Sequence, residues 1–286
     1  METGANNIAP KVNYSPSKID NLLTEKCHLS VEVGANHIVY TLFDTLNLTY
    51  VLLRDFHFEA KNIEEVTNKV NEIIDHESLL QRSFYSSSLT FANFPSTLVP
   101  TTFYKEEEKR KILAFNHEVY DEVLTDQLQY MEAVNIYSIP SYLLDTIRNA
   151  FPNTQIKCSS TILIEQLLFQ DEKKEKVFAS VKKDMLEICV IEDNKLAFHN
   201  CFKCEAKEDL LYYLLFTMEQ LGLSEEETDL VLLDDILTSD DTYQLLYEYV
   251  KNISFGNRPN NLKYAKQLEG LKTHKYFCLF SQLLCA

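Results

Sequence analysis

Two stretches of the chain carry the same alternation of apolar and polar positions. In Leu29–Phe58, apolar and polar residues alternate in places, with the β-branched and aromatic enrichment of strands. Turn signals at Gly34-Ala35-Asn36 and Asp44-Thr45-Leu46-Asn47 divide it into three strands. Ile63, Val66, Val70, Ile73 and Ile74 then fall on one helical face. Lys176–Cys204 repeats the three-strand pattern, with a tight turn at Glu192-Asp193-Asn194. The helix after it carries Leu210, Leu211, Leu214, Leu215, Met218 and Leu221, with Gly222 as its C-terminal cap.

The rest of each half continues as strand and helix. Short strands are predicted at Ser88–Phe94, Thr97–Val99, Val123–Gln129 and Ala133–Ile139, and KEEEKRK (Lys105–Lys111) reads as an exposed helix face. Pro140 opens a helix with the apolar stripe Leu143, Leu144 and Ile147. A strand at Gln155–Cys158 and a helix over Ser160–Phe169 follow. In the second half, the wholly apolar Leu230–Leu233 reads as a strand buried on both faces. A helix bearing Tyr243, Leu246, Tyr247 and Val250 comes next, with Ser239 as its candidate cap. Meander, helix, strand, helix is thus the order in both halves. The reading places a flexible arm at residues 1–26, a first lobe at 27–169 and a second at 170–286, joined through DEKKEK (Asp171–Lys176).

Composition narrows the function classes. A net charge of −16 on 286 residues argues against general nucleic-acid binding, because phosphates are repelled. The charge reverses between Lys251 and Lys275, where six basic residues (Lys251, Arg258, Lys263, Lys266, Lys272, Lys275) face one acid, Glu269. Arg258, Lys263, Lys266 and Lys272 are therefore the candidates for an anion or partner site, against the plainer reading of a solvated face. No apolar run reaches membrane-spanning length, and the N-terminus lacks a signal pattern. Seven irregularly spaced cysteines suit reduced thiols, and a cytoplasmic location is expected.

Several stretches carry a family likeness: AVNIYSIPSYLLDTIRNAFP (Ala133–Pro152), CSSTILIEQLL (Cys158–Leu168), KLAFHNCF (Lys195–Phe202), DLLYYLLFTMEQLGL (Asp209–Leu223) and HKYFCLFSQLLC (His274–Cys285). Together they resemble bacterial domain-of-unknown-function family 3822, over most of the chain after about residue 27. The resemblance implies an α/β actin-like ATPase fold. Two ribonuclease-H-like lobes, each a mixed sheet flanked by helices, would leave a cleft between them. It implies no activity.

Actin-like ATPases hold phosphate on two hairpin turns, each an acidic residue followed closely by glycine, because backbone N–H groups must approach the oxygens unobstructed. This chain has 5 glycines, against roughly 20 at the average usage of about 7%. Glu32-Val33-Gly34 keeps a trace of the pattern; Val181-Lys182-Lys183-Asp184, the corresponding turn, has no glycine. After Leu230–Leu233, where nucleotide-binding relatives place glycines, stand Asp234-Asp235, which would repel phosphate without a metal. The favoured reading is a non-catalytic binding or scaffold module without cofactor, serving a protein partner through the cleft or the basic segment. The alternative is a divergent ATPase or sugar-kinase-like enzyme using ATP and Mg²⁺. In that case Glu32 and Gly34 face the phosphates, Lys182 or Lys183 assists, and Asp184 or Asp234 holds the metal.

Other chemistry is sparse. Cys201-Phe202-Lys203-Cys204 is a lone CxxC with His199 nearby; a zinc site usually draws on two such pairs, so ordinary semi-buried thiols are preferred and no metal is assigned. On an extended strand His199 and Cys201 share a face that Cys204 leaves. No GxSxG, Walker or HExxH motif occurs. The seven histidines read as structural, and Tyr212, Tyr213, Tyr243, Tyr247 and Tyr249 as core in preference to a partner groove.

Overall fold

The first meander folds as β2 (Cys27–Val33), β3 (His37–Asp44) and β4 (Thr49–His57), preceded by β1 (Val12–Tyr14). The computed structural model describes residues 8–16, 22–170, 175–259 and 262–285; the expected linker lies outside them up to Lys174. Two compact units emerge. The first comprises Met1–Ile162, Asn261–Gly270 and Cys278–Ala286, and the second Leu163–Asn260 and Leu271–Phe277.

In the first unit, α1 (Ile63–His76), β5 (Ser86–Phe91), β6 (Ser96–Pro100), α2 (Lys109–Leu113), β7 (Glu122–Gln127), β8 (Ala133–Ile139), α3 (Ser141–Ala150) and β9 (Gln155–Cys158) follow the meander. The α4 helix (Ser159–Phe169) crosses into the second unit between Ile162 and Leu163. Asn62 caps α1 by accepting the Glu65 N–H (2.9 Å), while Glu65 accepts the Lys61 N–H (2.9 Å). The main sheet has the order β1-β4-β3-β2-β5-β9. Residues i, i+2 of each strand turn to one face. Leu29, Val31 and Val33 therefore join Ile38, Tyr40 and Leu42 in a core with Val70 and Ile73 of α1 and Leu144 and Ile147 of α3.

The opposite face of this sheet is polar and yet buried, with His28, Ser30 and Glu32 beside Ser88 and Thr90. Gln282 covers part of it. It donates to Val31 O (3.0 Å) and Thr90 Oγ1 (2.8 Å) and accepts from Ser88 Oγ (2.8 Å). A separate sheet, β6-β8-β7, has its own small core of Val99, Leu113, Val134 and Ile136. The KEEEKRK run is a 3-10 turn over Glu106–Glu108 followed by α2, shorter than one continuous helix. Within the expected arm, Val12–Tyr14 pairs antiparallel with β4.

The second unit repeats the plan with β10 (Lys176–Lys182), β11 (Met185–Glu192), β12 (Lys195–Lys203), α5 (Lys207–Leu221), β13 (Asp229–Asp234), α6 (Asp241–Tyr249) and β14 (Asn252–Phe255). Its sheet order, β12-β11-β10-β13-β14, matches β4-β3-β2-β5-β9 strand for strand. In both, the meander is antiparallel and the last two strands are parallel to its first strand or to each other. Val177, Ile188 and Val190 pack against Leu210, Leu214 and Met218 of α5 and Leu246 of α6. Asp240, rather than Ser239, is the α6 N-cap residue. Tyr213 and Tyr243 pack on this core, but Tyr212, Tyr247 and Tyr249 are exposed, so the all-core expectation fails for them. Last come β15 (Lys263–Tyr264), parallel to β4, and α7 (Phe277–Ser281).

Candidate functional site

The turn closing β2 and β3 carries the first candidate residues. Glu32 is buried on the polar face of β2, and its Oε1 lies 3.2 Å from Nε2 of His37. The other His37 nitrogen meets Asn36 Oδ1 at 3.0 Å, so both ring nitrogens are engaged. Gly34 donates its N–H to His37 O (3.0 Å). A Cβ built on Gly34 would stand 2.3 Å from Cε1 of His37, below any ordinary contact. The space that glycine leaves is thus filled by a neighbouring imidazole. On the neighbouring strand β4, His57 Nε2 pairs with Asp55 Oδ2 at 2.9 Å, and the His37 and His57 imidazoles stand 6.1 Å apart. The strand register His37↔His57 brings these two histidines, twenty residues apart in sequence, together.

In the second unit the corresponding turn holds Lys182, half-buried, and Lys183 and Asp184, both exposed. Asp234 ends β13 beside this turn, since Val181 and Asp234 are register partners. It is buried and left-handed (φ 64°). Its carboxylate accepts from Ser180 Oγ (2.6 Å) and from the Phe277 N–H (3.0 Å), and its own N–H donates to His274 O (2.9 Å). Asp234 therefore fastens β10 and the Leu271–Phe277 segment onto the end of β13. Asp235 stands outside, paired with Lys275 at 3.3 Å.

The basic segment divides between the units. Lys263 and Lys266 are exposed in the first, where Tyr264 stacks on Tyr50 at 5.3 Å. Lys272 is exposed in the second. Arg258 is buried, with its backbone N–H on Thr273 O (2.7 Å) and Nη2 at 3.5 Å from Leu271 O. A guanidinium enclosed in this way is not part of a solvent-facing patch, although the sequence counted it with the lysines.

A site that sequence reading did not assemble lies on β11 and β12. Glu187, His199 and Cys201 offer donor atoms all within 4.8 Å of one another. Cys204 packs instead on the α5 side, where burial foremost pushes its thiol up to about 11. The signal that would have found Glu187 is the hairpin register, which pairs it with Cys201.

Duplicated sheets of order 3-2-1-4-5 with flanking helices define an actin-like ATPase fold, built from two ribonuclease-H-like units. The chain belongs to the family described as "Protein of unknown function (DUF3822)", whose model matches residues 16–253. A Bacteroides thetaiotaomicron protein with actin-like ATPase fold and unknown function is similar at TM-score 0.78 and 19% identity, over 92% of this chain and 97% of that one. A structure of the PilM-PilN type IV pilus biogenesis complex is similar at TM-score 0.54 and 10% identity, over 90% and 96%. Among curated protein sequences, none matches the chain. No helix among the described residues is long and apolar enough to cross a membrane.

Proposed function

We propose that this protein is a cytoplasmic, non-catalytic binding module that uses an actin-like fold to engage a protein partner. One observation carries the reading: neither meander turn offers bare backbone to a phosphate. The Lys182-Lys183-Asp184 turn presents side chains throughout, and at Gly34 the space above Cα is taken by His37. Phosphate cradles of this kind depend on unobstructed N–H groups, so the inherited chemistry has lost its footing in both units. Asp234, the Mg²⁺ candidate of the ATPase alternative, accepts hydrogen bonds from Ser180 Oγ and the Phe277 N–H through its two oxygens.

Exposed aromatics supply the surface a partner would need. Tyr212 and Phe216 stack along the outside of α5 (5.8 Å between rings), and Tyr247 and Tyr249 are exposed on α6, which packs against it. Tyrosine and phenylalanine are enriched where protein surfaces meet. PilM, of the same fold, occurs in complex with PilN, so the fold accommodates such use there.

Calorimetric titration of the full chain with Mg-ATP, alongside a thermal-shift panel of nucleotides, tests the reading. No binding heat and no stabilisation are expected. Micromolar binding that Lys182→Ala plus Lys183→Ala abolishes would overturn it and establish the nucleotide-binding enzyme instead. Partner capture from cells of the source organism should fall on Tyr212→Ala plus Tyr247→Ala. Charge reversal at Lys263 and Lys266 separates a partner that reads the basic segment.

A further inference from the structure

Glu187, His199 and Cys201 are brought together by the β11–β12 hairpin. The register pairs Glu187 with Cys201 and Cys189 with His199. Cys204 donates its N–H to Asp184 O at 2.9 Å, which makes 184 and 204 a hydrogen-bonded pair. Counting along an antiparallel ladder, 187 and 201 are then a non-hydrogen-bonded pair, the kind whose side chains stand closest. His199 sits diagonally across from Glu187, within reach of a long side chain, and its Nε2 meets Glu187 Oε1 at 2.8 Å. The outward N–H of Cys201 is taken up by Asn200 Oδ1 at 2.9 Å, as suits an edge strand.

The donor set is one imidazole nitrogen, one sulfur and one carboxylate oxygen. Calcium and magnesium seek oxygen alone, whereas zinc accepts all three. Around zinc, with bonds of about 2.0–2.3 Å, such donors lie roughly 3.3–3.8 Å apart. The donors lie within 4.8 Å of one another, so ligation would draw them together by about 1 Å. Two further features favour ligation. Glu187 is 9% exposed, so its carboxylate is held in a low-dielectric setting where a cation is attractive. The His199 side chain is buried beside Glu187, and Cys201 is half-buried on the edge strand, which gives an ion a route in from that side.

We propose that Glu187, His199 and Cys201 form a zinc site with three protein ligands and a fourth position open to water or to a ligand from outside. Cys204 takes no part. The hydrogen bond from His199 to Glu187 pre-orients the ring in the metal-free protein and gives way when the ion enters. Ligation through Nε2 moves that imidazole proton to Nδ1, releases the Cys201 thiol proton and ties the edge strand β12 to β11.

Cobalt titration of the reduced full chain tests this, because Co²⁺ takes zinc sites and reports thiolate ligation by a charge-transfer band. One Co²⁺ per chain, a thiolate band and its loss on adding Zn²⁺ are expected. Cys201→Ser should abolish the band, and Cys204→Ser should leave it. Glu187→Gln should weaken affinity by at least about tenfold, since even groups behind the ligands are worth that much. Far-UV circular dichroism of the metal-free variants controls for folding. If Cys201→Ser does not fold, alkylation mapping on the unaltered chain serves instead, and Zn²⁺ should protect Cys201 from iodoacetamide. Absence of saturable binding at one ion per chain overturns the proposal, as does a band that survives Cys201→Ser or is lost in Cys204→Ser. In the alkylation arm, undiminished modification of Cys201 under saturating Zn²⁺ overturns it.

Discussion

His28 is 3% exposed and meets Ser86 and Ser88 through its two ring nitrogens at 2.8 and 3.0 Å. Burial lowers its pKa from 6.5 to about 4. The neutral form is therefore native, and its contribution to stability is complete above pH 6.5 and lost as pH falls through about 4. Asp126 behaves in the opposite sense. Burial raises it from 3.8 to about 6, against the opposing hydrogen bonds from the Cys158 N–H (2.7 Å) and Thr161 Oγ1 (2.7 Å) at the start of α4. Its contribution is complete below 3.8 and lost as pH rises through about 6. Each is worth on the order of 3 kcal/mol, so between pH 4 and 6 they offset one another. Asp126→Asn should then expose the His28 slope, and its unfolding free energy should fall more steeply than the parent's on acidification across that window. Urea titrations at several pH values check this; parallel curves would refute it.

Turns and caps show how far local chemistry sets an element. Asp193 and Asn194 both adopt positive φ (46° and 58°), the conformation a two-residue hairpin needs, and their side chains tolerate it. Gly222 ends α5 at φ +70° with open space around it. Gly222→Ala should therefore cost about 1 kcal/mol, from backbone strain alone. Gly34→Ala should cost more, about 1–3 kcal/mol, because the new methyl displaces the His37 ring from Glu32. In a His37→Ala background that second penalty should largely vanish, and denaturant unfolding of the four variants measures the coupling. Strand and helix positions such as β8, β9 and α3 were legible because each has a strong period and a marked boundary. The KEEEKRK run was not. Its charges give no apolar stripe, so the packing of Leu113 decides where the helix forms.

At the scale of the molecule, the duplication read from two meanders is a topological repeat, with equal strand orders in both units. The β6-β8-β7 sheet interrupts the first copy between β5 and α3 and builds its own core. The chain's last turn then returns to the first unit, where Tyr50 donates to Phe280 O (2.7 Å) and Gln282 covers the polar sheet face. Gln282→Ala should leave Ser88 and Thr90 without this partner at the site of its loss. A cost of about 2–3 kcal/mol is expected from buried groups losing hydrogen bonds, read as a lowered urea midpoint. A change within a few tenths of a kcal/mol would show that water replaces the amide.

Periodicity, turn residues and composition gave the repeated order of elements and the scarcity of glycine at the turns, because each depends on residues close in sequence, while the actin-like fold itself was implied by the family resemblance. Partnership across strands depends on register, and register is set by how whole faces bury. Only the tertiary structure could therefore set Glu187 against Cys201 and His199, His37 beside His57, and Gln282 over Ser88. For the same reason Arg258, counted among exposed cations by its neighbours in sequence, proves to be buried, since burial belongs to the packing and not to the segment.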